Sequence, residues 1–162
     1  MPVTHVHKDP ARHTMTVTAE FAASVQRVWQ IWADPRKLER WWGPPVYPAT
    51  VVEHDLRPGG TVTYYMTGPE GDQPRGWWRV KAVEPPHRLE LEDGFGEDPD
   101  TPVPGMPVML MRVTLEEIPG GTRMAIVTTF PSVEAMEQLI AMGMEEGMQG
   151  AMGQIDGLLA EG

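Results

Sequence analysis

Histidine, carboxylate and serine are the side chains here whose types and spacing could do chemistry. His5, His7 and His13 stand close together in sequence. A His-x-His pair can hold a metal through imidazole, but no further ligand cluster accompanies it, so a polar tail is the plainer reading. His54 sits between Glu53 and Asp55. Strand alternation sends it to the face opposite both carboxylates, which makes it a surface histidine rather than an oriented base. Carboxylates also pair at Glu116-Glu117, Glu145-Glu146 and Asp98 with Asp100. Acid–base work needs two carboxyls on one cleft. Neighbours on a strand point apart, and Glu145 and Glu146 fall on the polar side of a helix, so all three pairs read as solvated acidic faces. The two serines, Ser24 and Ser132, each stand before a helical pattern and read as N-caps. No G-x-S-x-G turn, Walker sequence or G-x-G-x-x-G run occurs. The absence of cysteine excludes disulfides, thiolate zinc sites and cysteine nucleophiles. We assign no catalytic residue, no metal and no cofactor.

The positive signal is apolar. Tryptophan occurs six times and methionine twelve, and methionine suits surfaces that must fit variable apolar shapes. Val28, Trp29 and Leu38 read as core. A length of 162 residues is one domain's worth of chain, and 41% hydrophobic with 22% charged residues is a globular composition. The formal charge of −10 argues against nucleic acid and anionic membrane as partners. The opening residues MPVTHVHKDPARHT have no apolar h-region, and no window approaches a membrane span. The expectation is a soluble, cytoplasmic protein with no membrane insertion.

These side chains need a frame. Residues 1–12 are polar and read as loose. His13 to Phe21 alternates Met15, Val17, Ala19 and Phe21 against polar neighbours, a half-buried strand. Ser24 opens a helix with Val25, Val28, Trp29 and Trp32 on one face, and Asp34-Pro35 starts a second, short one. Strands follow at 47–56, 61–67, 75–84, 88–92, 108–118 and 122–130, separated by Gly- and Pro-rich turns. Residues 93–107 read as a long loop, a candidate lid with Phe95 and Met106 as its apolar contacts. Ser132 begins a terminal helix of about 28 residues. Strands joined by short turns, with helices gathered at the ends, give an α+β fold with an antiparallel sheet of about seven strands.

The order of several short motifs carries a family resemblance. They include Val28-Trp29, Asp34-Pro35, the Trp41-Trp42-Gly43-Pro44 run and Asp55-Leu56-Arg57-Pro58-Gly59-Gly60. Gly68-Pro69-Glu70-Gly71, Pro85-Pro86-His87-Arg88-Leu89, Gly121-Thr122-Arg123 and Gly143-Met144-Glu145-Glu146-Gly147-Met148 continue the series. The chain resembles the START-like (SRPBCC) superfamily, and within it the homologues of the activator of the ninety-kilodalton heat-shock protein ATPase. The resemblance implies a single helix-grip domain over 1–162, its curved sheet wrapped around the long C-terminal helix with a hydrophobic cavity between them. The chain is read as a lone domain without a preceding clamp segment, a departure from the co-chaperone type.

In a grip fold one alternating face of successive strands points at the helix. That face supplies Tyr64, Met66, Trp78, Val80, Met111, Val113, Met124 and Ile126 as candidate cavity wall, and the helix supplies Met144, Gly147 and Met148. Gly143, Gly147, Gly150 and Gly157 gather beside the apolar stripe of the helix. They signal either close approach of another backbone or room left for a ligand. The expected partner is a small apolar or amphipathic molecule, taken up by desolvation. The alternatives are a cyclase- or hydrolase-type enzyme on a polyketide-like substrate, and an interaction module that meets a chaperone or forms a homodimer. A pocket residue with a strongly shifted pKa would favour the enzyme.

Overall fold

The computed structural model describes residues 3–161. Met1, Pro2 and Gly162 lie outside the described residues, and with them that part of the expected loose start and of the expected 1–162 domain. Among the described residues there are eight strands and five helices. The strands are β1 (Val3–Asp9), β2 (Thr14–Phe21), β3 (Ala49–His54), β4 (Thr61–Met66), β5 (Arg75–Glu84), β6 (Arg88–Phe95), β7 (Met109–Ile118) and β8 (Gly121–Thr129). They form one antiparallel sheet in the order β1-β2-β8-β7-β6-β5-β4-β3. The α+β helix-grip class holds.

Strand alternation builds the concave face. In β2, Met15, Val17, Ala19 and Phe21 are buried while Glu20 is exposed. Met111, Val113 and Leu115 of β7, Met124 and Ile126 of β8, and Leu89 and Leu91 of β6 continue the same layer. The helices α1 (Val25–Ala33) and α2 (Pro35–Trp41) close one end of it. The caps are as the sequence indicates. Ser24 Oγ accepts from the Arg27 N–H at 3.2 Å, and Asp34 Oδ1 accepts from the Arg36 N–H at 2.9 Å with Pro35 at the first helical position. Ser132 Oγ accepts from the Ala135 N–H at 3.1 Å.

Several expectations need correction. Residues 3–9 are not loose: β1 pairs with β2 and adds an eighth strand to the expected seven. Leu89, Leu91, Asp93 and Phe95 continue one alternation, so β6 runs to Phe95 and the loop that follows is shorter than expected. His54 is half-buried, and its Nε2 donates to the Trp32 carbonyl at 2.9 Å, pinning β3 to α1. Glu145 is half-buried as well, paired with Lys8 of β1 at 2.7 Å.

The largest difference lies at the C-terminal end. The single 28-residue helix is three: α3 (Val133–Ala141), α4 (Met144–Met152) and α5 (Ile155–Ala160). Gly143 breaks the first junction with φ +93°, a left-handed conformation that side-chain-bearing residues resist. At the second, Gln154 Nε2 donates to the Gly43 carbonyl at 2.7 Å and holds the chain against the end of α2. Arg40 of α2 meets Glu161 with Nη1 and Oε1 2.6 Å apart and secures α5 from the other side. The interruption lets three short segments follow the curve of the sheet where one rod could not.

The Asp55–Gly60 segment is the structural turn its composition suggests. Gly59 has φ +84°, its N–H donates to the Val80 carbonyl at 2.9 Å, and the Gly60 N–H donates to the Arg57 carbonyl at 2.8 Å. No atom stands where a Gly59 side chain would go, so the cost of a substitution there is conformational. Gly59→Val is expected to lower stability by about 1–3 kcal/mol without touching the cavity described below. Thermal melts check this; an unshifted melting temperature would refute the strained-turn account.

A candidate ligand cavity between the sheet and the terminal helices

Between the concave face of the sheet and the broken terminal helix lies a cavity of about 270 Å³. Its floor is Tyr64 and Met66 of β4, Asp93 and Phe95 of β6, Met109 of β7 and Ile126 of β8. Its roof is Leu139 of α3, the Met142-Gly143 junction, and Met144, Gly147, Met148 and Ala151 of α4. Trp41, Trp42 and Pro44, at and just beyond the end of α2, close one side. The walls are apolar except at Tyr64 and Asp93.

Of the candidate wall residues, the structure brings Tyr64, Met66, Ile126, Met144, Gly147 and Met148 to the cavity. Trp78, Val80, Met111, Val113 and Met124 are not on it. Each is buried in the packed core, at 0–1% exposure. They share the inward face but belong to the packed core, where Trp78 meets Trp32 of α1 at 5.9 Å between ring centroids. Met124, for example, accepts the Trp32 indole N–H on its sulfur at 3.4 Å. Phe95 lines the cavity from a strand, not from a lid, and Met106 packs against the core without lining the cavity.

An aromatic cluster stiffens the α2 side. The Trp42 ring stands edge-on to Trp78 at 4.8 Å, to Trp41 at 5.6 Å and to Tyr64 at 6.0 Å between centroids. Trp32 meets Trp41 edge-on at 4.8 Å. Edge-to-face pairs of this kind each add about 0.5–1.5 kcal/mol beyond the area they bury. The indole N–H groups of Trp42 and Trp78 are enclosed in this cluster without a hydrogen-bond partner.

Asp93 is the residue the sequence reading missed. The register places it opposite Trp78 on β5 and Met109 on β7. It is half-buried and lines the cavity. Its one hydrogen bond comes from the Tyr64 hydroxyl, which donates to Oδ1 at 3.4 Å, long for an O–H···O bond. Among the described residues no cation pairs with it. Burial without compensation pushes its pKa up to about 7, and the Tyr64 hydrogen bond only partly opposes this. Tyr64 is held well above its ordinary value, first by burial and then by the charge of Asp93. The Trp42 indole N–H lies near enough to oppose that shift slightly, yet not in hydrogen-bond geometry. One strand over, Gly76 makes the pair possible. It sits opposite Tyr64, and a side chain there would begin 2.3 Å from the Tyr64 hydroxyl oxygen.

A carboxyl whose folded pKa exceeds its unfolded value binds more protons in the folded state across the interval between the two. Stability then falls as pH rises from about 4 to about 7 and levels off above. Asp93→Asn removes this slope while keeping an acceptor for Tyr64. Relative to the native chain, the variant is expected to gain about 2–3 kcal/mol between pH 5 and pH 8. Denaturant titrations at the two pH values measure the difference; equal gaps at both would place the Asp93 carboxyl in water.

Comparison with known proteins fits this architecture. No curated protein matches the chain. A crystal structure of a protein from Mycobacterium smegmatis is 52% identical with a TM-score of 0.90, covering 98% of this chain and 97% of its own. A solution structure of a protein from Arthrobacter aurescens is 48% identical with a TM-score of 0.92, covering 99% and 93%. A protein from Rhodobacter sphaeroides is 26% identical, with a TM-score of 0.84 over 97% and 98% of the two chains. The family model described as "Activator of Hsp90 ATPase homolog 1-like protein" matches residues 22–160, nearly the whole of the fold traced above. The chain belongs to that family.

Proposed function

We propose that this protein binds a small amphipathic molecule in the cavity between the sheet and α3–α4. The observation that carries the reading is an apolar space of about 270 Å³ with a single carboxyl and its tyrosine side by side in the wall. Such a space takes apolar surface out of water at roughly 25 cal/mol per Å², while one polar end orients the guest. Its volume is just under the about 300–1,000 Å³ typical of pockets for drug-sized ligands, so the guest is small. The wall residues we assign are Tyr64, Met66, Asp93, Phe95, Ile126, Met144, Gly147 and Met148. The reading takes the chain as one domain acting in the cytoplasm. The charge of −10 disfavours a nucleic-acid partner. Among the described residues no helix is long and apolar enough to cross a membrane.

One observation favours a second reading. A carboxyl held near neutral pKa beside a hydroxyl, in a cavity, is equipped for general acid–base work on a bound substrate. In that case Asp93 would move the proton, and Tyr64 would hold Asp93 in place.

Gly147 tests the site. A side chain at Gly147 would meet nothing within 4 Å, which favours room for a ligand over close backbone approach. Gly147→Leu is expected to leave the melting temperature unchanged, or to raise it by removing a helical glycine. It should also weaken uptake of the neutral probe N-phenyl-1-naphthylamine at least tenfold. A sharply lower melting temperature with probe uptake retained would overturn the assignment of this wall. Native mass spectrometry of freshly purified protein gives the guest's mass.

A further inference from the structure

On the reading that the cavity is a ligand site, we infer that its guest carries a cationic nitrogen, seated against the Asp93 carboxylate on a wall that also holds the rings of Trp42, Tyr64 and Phe95.

The argument is an inventory of what the polar end offers. Tyr64 spends its one proton on Asp93 and presents lone pairs. Asp93 accepts one long hydrogen bond, and the rest of its acceptor capacity is unused. The donors nearby, the indole N–H groups of Trp42 and Trp78, are closed inside the aromatic cluster. Acceptors and electron-rich rings are therefore what a guest meets. An anionic head would be repelled by the ionised carboxyl, and a carbonyl would find a donor there only while the carboxyl keeps its proton. A protonated amine answers both features, through a charge-assisted hydrogen bond to the carboxylate and attraction to the rings. Among the described residues none supplies such a charge to Asp93. The elements around Asp93 bring Trp78 from β5, Met109 from β7, Met144 and Met148 from α4, and Trp41 and Trp42 from the end of α2. Tyr64 and Asp93 are the only titratable side chains on the cavity wall among the described residues. A cationic guest would hold Asp93 ionised, opposing the upward shift that burial imposes on it.

Isothermal titration with two near-isosteric probes, 4-phenylbutylamine and 4-phenyl-1-butanol, decides the matter. At pH 8 the amine is expected to bind at least tenfold more tightly, and Asp93→Asn to erase that preference while changing the alcohol's affinity less than threefold. If the variant does not fold, the native chain still answers. The amine's affinity should fall at least tenfold from pH 8 to pH 5, as Asp93 takes up its proton, while the alcohol's stays level. Equal or tighter binding of the alcohol would overturn the cationic guest and leave the ligand-site reading standing, as would uptake of N-phenyl-1-naphthylamine with neither probe bound. If none of the three compounds binds, the ligand-site reading fails with it.

Discussion

A carboxyl among apolar side chains is costly unless something answers its charge, and the inner face of this sheet holds one at Asp93. Its surroundings are arranged around that cost rather than against it. The register sets Trp78 and Met109 beside it on the neighbouring strands. Tyr64 reaches it from β4, two strands away, because Gly76 leaves the intervening β5 position empty. A single long hydrogen bond from a neutral hydroxyl does not offset the loss of water, which is why the carboxyl holds its proton up to near-neutral pH. The cavity is thus polarised at one end and indifferent elsewhere.

The two sides of the cavity differ in stiffness. On the α2 side, indole rings meet edge to face in a continuous cluster, and such rings have few rotamers to explore. On the α4 side the wall is methionine and glycine, side chains that yield or are absent. Met144 and Met148 are one helical turn apart on the same wall, with Gly147 beside them. A rigid aromatic side fixes where a guest's polar head must sit, and a yielding side tolerates variation in its tail.

Most of the fold was legible because it rests on local signals. The N-caps at Ser24, Asp34 and Ser132, the turn at Gly59 and the alternation of β2 are each written in a few adjacent residues. What was not legible depends on curvature. Trp78, Val80, Met111, Val113 and Met124 lie on the inward face as alternation requires, yet they are buried in the packed core instead of lining the cavity. Nothing local distinguishes an inward residue under a helix from one under open space. One miss, Asp93, did carry a local signal, and one, the strand at 3–9, carried almost none. Asp93 continues the Leu89, Leu91 alternation toward Phe95, but the charged and glycine-rich composition that follows hides the strand's last three residues. The strand at 3–9 alternates too weakly to register, since most of its residues are exposed and it is held chiefly by its ladder with β2.

The glycines of the terminal segment do different things. Those inside a helix, such as Gly147 and Gly150 of α4, each cost about 1 kcal/mol of helix stability relative to alanine. Gly143 turns the chain, and Gly147 leaves space over the cavity. Gly150 faces Pro44 and Pro45 beside the cavity with room for a methyl group, which would meet them in ordinary van der Waals contact. Restraints on the segment are unequal as well. The junction of α4 and α5 is held by Gln154 on the Gly43 carbonyl, and α5 by Arg40 on Glu161 and Arg27 on the Leu159 carbonyl. The opposite end of α4 has the Gly143 break and the Lys8–Glu145 pair, a partly exposed ion pair of the kind that contributes about 0–1 kcal/mol. Local opening costs least where such contacts are fewest. The least restrained wall of the cavity is therefore the start of α4, where Met142 is exposed and Met144 faces inward.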